Sequence, residues 1–111
     1  MANNDKFLSM LGIAKRAKLI SEGHDACVAA VLKGRAKMCL VTGDASERLT
    51  REFKTLADSA KPQIPFQSIP YTMDDIYKAL SYRSAVMTVN DGGIAEKLAH
   101  LSKIQNGEEN L

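Results

Sequence analysis

Apolar positions along the chain fall into two alternating patterns, one with helical spacing and one of short continuous runs. Phe7, Leu8, Leu11 and Ala14 share one stripe, which predicts a first helix capped by Asn4. Leu19-Ile20 leaves room for a brief strand, and Ser21 to His24 is polar and glycine-bearing, suited to a helix start. Cys27, Val28, Val31 and Leu32 form the buried stripe of the second helix, which Gly34 is placed to end in a left-handed conformation. Met38 to Val41 is continuously apolar and predicts a strand covered on both faces. Ser46 caps a third helix with the stripe Leu49, Phe53, Leu56, Ala57 and Ala60. Pro65 to Ile69 predicts the next strand. Thr72 and Asp75 stand in capping-box relation before a short helix that buries Ile76, Ala79 and Leu80. Ala85 to Val89 reads as a strand, and Asp91-Gly92-Gly93 turns into a last helix carrying Ile94, Leu98 and Leu101.

This alternation predicts one α/β domain over residues 1–104. It is a three-layer α/β/α sandwich around a mixed sheet of about four strands, with a flexible polar tail at 105–111. The length of 111 residues fits one compact domain, and a hydrophobic fraction of 45% excludes wholesale disorder. No run approaches the ~20 apolar residues of a membrane span. The basic residues Lys15, Arg16 and Lys18 follow the first apolar run, the reverse of a secretory signal, so a cytoplasmic chain is expected, with no membrane partner.

The net charge of +2 hides an asymmetry. Met1 to Lys37 carries seven Lys/Arg against three acids, Met38 to Ile69 four of each, and Pro70 to Leu111 four against six. A basic first third suggests that one face meets a polyanion, whereas a solvated surface of mixed charge is the plainer reading.

Catalytic and cofactor signatures fall short. Cys27 and Cys39 lack short C-x-x-C spacing and read as buried free thiols, so no metal is expected. Gly43-Asp44-Ala45-Ser46 follows a strand and opens a helix, but it lacks the glycine pattern of a dinucleotide fingerprint and the Lys-Ser/Thr of a P-loop. Asp91-Gly92-Gly93 has the same weakness, and both read as strand-to-helix turns. His24 and Asp25 are adjacent, about 100° apart on a helix, which does not favour a base with its orienting acid. His100 falls on the polar side of the last helix. A non-enzyme without cofactor is expected.

The segment LGIAKRAKLISEGHDACVAAVLKGRAKMCLVTGDAS is more informative. Leu11-Gly12-Ile13-Ala14-Lys15-Arg16-Ala17, Gly23, Lys33-Gly34, Ala36-Lys37-Met38 and Asp44-Ala45-Ser46 appear in the order that marks a known group. The chain resembles the YlxQ-type bacterial proteins, relatives of the ribosomal protein L-seven-Ae family that bind kink-turn RNA. The match is collinear over roughly the first half. The resemblance implies an α/β/α sandwich that docks the start of its second helix on bent RNA. A glycine there allows close backbone approach, an Asn and a Glu read purine edges, a Lys one turn later meets phosphate, and a loop after the fourth helix packs on an extruded base.

Carried over position by position, the glycine is Gly23, the Asn position holds Asp25, the Glu position Ala26 and the Lys position Ala29. Lys33 keeps the basic residue before the helix-ending glycine. The loop after the fourth helix is Ser81-Tyr82-Arg83-Ser84, where Tyr82 can stack on a base and Arg83 can meet phosphate; partial burial against the sheet edge is the alternative for Tyr82. Loss of one base-edge acceptor, worth about 1–3 kcal/mol, and of one cation counts against standard kink-turn recognition and leaves RNA binding in a broader sense. The expected RNA-binding residues are Ser21, Gly23, His24, Asp25, Lys33, Arg35, Lys37, Tyr82 and Arg83, on a monomer bound to structured or ribosomal RNA. A basic shelf formed by Lys33, Arg35 and Lys37 is expected near Gly23. The alternative is a protein-interaction module on the same fold that has lost RNA binding.

Overall fold

The computed structural model describes residues 5–105, with side chains through Ser102; the expected tail lies largely outside the described residues. Nine elements follow in the expected order: α1 (Lys6–Arg16), β1 (Ile20–Glu22), α2 (His24–Leu32), β2 (Met38–Thr42), α3 (Glu47–Ser59), β3 (Phe66–Ile69), α4 (Met73–Leu80), β4 (Val86–Val89) and α5 (Gly92–Gln105). The four strands make one mixed sheet in the order β1-β4-β2-β3. β4 is antiparallel to both β1 and β2, and β2 is parallel to β3.

The side-chain period of two divides each strand between two cores. Met38 and Leu40 of β2, with Met87 and Val89 of β4, pack against Phe7 and Leu11 of α1, Ile76 and Leu80 of α4, and Leu98 of α5. Cys39 and Val41, with Val86, pack against Cys27, Ala30 and Val31 of α2 and Phe53 and Ala57 of α3. Both faces of β2 are therefore buried, as its unbroken apolar sequence predicts. The result is the three-layer α/β/α sandwich.

The helix ends show how locally the sequence acts. Ser46 accepts from Leu49 N, and Thr72 and Asp75 complete a reciprocal capping box. Gly34 takes φ 77° and closes α2. Two expectations are corrected. α1 is capped by Asp5, which accepts from Leu8 N and also from the Tyr71 hydroxyl; Asn4 lies outside the described residues. Leu32 is 71% exposed rather than buried. It lies five residues after Cys27, about 140° around the helix from the buried face.

The two glycine-bearing turns are structural. Gly43 N donates to the Tyr71 carbonyl, and the Asp44 carboxylate accepts from Met73 N at the head of α4. Asp91 accepts from Ile94 N in the first turn of α5. Burial pushes the thiols of Cys27 and Cys39 up to about 12, and both are free. No helix among the described residues is long and apolar enough to cross a membrane.

Candidate nucleic-acid interface

β1 delivers the chain to the start of α2 through Gly23, whose φ of 91° and ψ of 160° suit glycine and few other residues. Its amide donates to the Ser84 hydroxyl at 3.1 Å and to the Val86 carbonyl at 3.3 Å. Ser84 is buried and its hydroxyl donates to Val86 O at 2.7 Å. These bonds tie the α4–β4 loop, residues 81–85, to the N-terminus of α2. The two regions named by the resemblance, separate in sequence, are thus side by side.

Tyr82 lies across this junction. Its hydroxyl lies 3.3 Å from where a Cβ on Gly23 would stand, and the residue remains 46% exposed. Lys15 Nζ lies over the ring, 5.5 Å from its centroid, donates to Leu80 O at 2.7 Å and pairs with Glu22 at 2.9 Å. Lys15 is therefore a strut among α1, β1 and the loop. Ser81 enters the loop in the left-handed region, with φ 62°. Arg83 pairs with Asp74 through exposed side chains at 3.0 Å, an interaction weak enough to exchange for phosphate.

Ser21 precedes this junction on β1 and accepts from the Asn90 amide. His24 opens α2 between two carboxylates, Nδ1 at 2.9 Å from Asp25 and Nε2 at 2.7 Å from Glu52 of α3. Its ring meets Phe53 edge-on at 5.4 Å. The hydrogen bonds with Asp25 and then Glu52 raise the imidazole above its usual pKa. Adjacency therefore did not keep His24 from Asp25. The helical angle between neighbours fixes their Cβ directions, but side chains at an open first turn can still fold toward each other.

The structure does not bring Lys33, Arg35 and Lys37 to Gly23. Gly23 is the N-cap of α2 and Lys33 its C-cap, so a nine-residue helix about 14 Å long separates them. The three cations of the expected shelf stay together, at the other end of α2 from the glycine.

Sequence reasoning missed three residues of the junction. Ser84 fixes the loop, and Glu52 reaches His24 from a distant helix. Glu22 has one oxygen on Lys15, while its Oε2 is enclosed without a hydrogen bond from the described residues. The only local signal was a run of polar residues beside Gly23. Among the described residues, no group of three or more His, Cys, Asp or Glu side chains is arranged to hold a metal.

Neither a protein-family model nor a curated protein matches the chain. Among solved structures, it is similar to a protein of unknown function from Bacillus halodurans at 27% identity and a TM-score of 0.81, over 90% of this chain and 99% of that one. It is also similar in fold to the Giardia lamblia 15.5kD RNA binding protein at 14% identity and a TM-score of 0.69, over 86% of this chain and 80% of the other.

Proposed function

We propose that this chain is a non-enzymatic RNA-binding protein of the YlxQ-type, L-seven-Ae-related group. It seats structured or ribosomal RNA where the N-terminus of α2 meets the α4–β4 loop. The observation that carries this reading is that the hydroxyl of the half-exposed Tyr82 comes within 3.3 Å of where a side chain on Gly23 would begin. A side chain on Gly23 would crowd that junction, whereas glycine leaves the helix N-terminus open to a phosphate. The adjacent aromatic ring offers a face to an unstacked base. RNA binding by the Giardia lamblia structural neighbour supports the same reading.

The contact set differs from that of kink-turn binders. Asp25 brings a carboxylate to the helix start, and Ala26 and Ala29 bring no polar group. Filter binding to a kink-turn RNA and to ribosomal RNA fragments at two salt concentrations tests the proposal. We expect salt-dependent binding that Tyr82→Ala weakens about tenfold, from a stacking contribution of about 1–3 kcal/mol. Absence of binding to every RNA at low salt refutes it.

A second reading, a protein-interaction module, draws on a groove of about 390 Å³ between α1 and α4, lined by Leu8, Gly12, Ile13 and Ala79. A protein that purifies free of RNA and binds none when RNA is added back would favour it.

A further inference from the structure

Five cations gather at the end of the sheet opposite Gly23. Lys33, Arg35 and Lys37 follow α2 on its connection to β2, all exposed. Lys61 lies on a groove between the C-terminal ends of α2 and α3, beside Leu32 and Gly34. Lys18 occupies a left-handed turn, φ 63°, just before Leu19, whose carbonyl accepts from Asn90 N. Lys37 N donates to Val89 O, so the chain at Lys18 and at Lys37 flanks the same end of β4. Two inter-strand spacings set these segments about 10 Å apart.

The balance of charge at this edge is one-sided. The described ion pairs use Lys15, His24, Lys54 and Arg83, and none of the five cations. Two carboxylates lie at the same edge: Asp91, engaged with Ile94 N, and Asp58 at the end of α3, paired with Lys54 and accepting from Gln63. The C-terminal ends of α1, α2 and α3 each carry about half a negative charge, which falls well short of balancing five cations. Between this edge and Gly23, the outer side of α2 presents Ala26, exposed, and Ala29, half-buried, flanked by the exposed Asp25 near the glycine and the exposed Leu32 near the cations.

We propose that this edge is a second phosphate-contacting surface, so that one RNA runs along α2 from Gly23 to Lys37. The inference rests on the RNA-binding reading above. An acidic protein segment anchored on Leu32 would need its charges gathered around that groove. Instead the cations extend past β4 to Lys18, a spread that suits the repeating charges of a nucleic-acid backbone.

The test is the triple variant Lys33→Gln, Arg35→Gln, Lys37→Gln in the full chain, its fold checked by circular dichroism. Affinity is measured over a salt series for a long ribosomal RNA fragment and for a short hairpin with one internal loop. The expected result for the long RNA is a log–log salt slope shallower by about 2, with affinity at low salt reduced about tenfold or more. The short hairpin should bind the variant and the parent alike. If the parent binds neither RNA, the RNA-binding reading itself fails. If the parent binds and the variant matches its slope and affinity on the long RNA, the second surface is overturned. It is also overturned if the variant keeps RNA binding but loses binding to polyglutamate, which would assign the edge to an acidic protein.

Discussion

Ser84 holds Gly23 in place: its buried hydroxyl accepts the Gly23 amide at 3.1 Å and donates to Val86 O at 2.7 Å, joining the last strand to the first turn of α2. Replacing Ser84 with Ala removes both of these bonds, together with the one that Val86 N donates to the same hydroxyl, and leaves Gly23 N only its longer bond to Val86 O, at 3.3 Å. The expected cost is about 1 kcal/mol, read as a lower urea midpoint with an unchanged m-value. A variant as stable as the parent would show that this tether is dispensable.

Gly23→Ala should cost more, because the backbone conformation at φ 91° is strained for any residue with a Cβ. About 1–3 kcal/mol is expected. Adding Tyr82→Phe removes the hydroxyl 3.3 Å from the new methyl but leaves the dihedral strain, so most of the loss should persist in the double variant. Full recovery in thermal melts would assign the cost to the contact instead.

His24 supplies a pH dependence of known sign. Its folded-state pKa is raised by Asp25 and then Glu52, so its contribution is fully present below the unfolded value of 6.5 and is lost as pH rises through the raised value. An imidazole carbon-bound proton resonance should therefore titrate above 6.5, and Glu52→Gln should lower its midpoint. A midpoint at or below 6.5 in the parent would contradict the bridge. The same protonation offsets the negative charge of Asp25 beside the proposed RNA seat, so binding should weaken on the alkaline side of that midpoint.

The two thiols give an independent check on the core. With both pushed up to about 12 by burial, Cys27 and Cys39 should resist a thiol reagent in the native protein at pH 8 and react on unfolding. Above pH 9 the unfolded chain ionises while the folded one does not, so stability should fall with further alkalinity. Rapid native labelling of either cysteine would place it outside the core described.

Much of the fold was legible because the local signals agreed with one another. The unbroken apolar run Met38 to Val41, the Thr72–Asp75 box and the left-handed Gly34 each act within a few residues, and each is present. The candidate site was only half legible. Gly23 and Tyr82 could be named, but their juxtaposition depends on β4 pairing with β1, which no local pattern encodes. The same reason hid Glu52 from His24. It also hid the separation of Lys33 from Gly23, since closeness in sequence suggested one shelf where a whole helix intervenes.

β1 is hydrogen-bonded to β4 alone among the strands of the sheet, and β4 is the last strand among the described residues. A polypeptide still being synthesised, with residues 86–89 not yet added, has no ladder on which to lay Ile20–Glu22. The turn at Gly23 then lacks its hydrogen-bond partner Val86. The proposed seat is thus assembled last although half of its residues are made first, and premature truncation ahead of Val86 leaves it unformed.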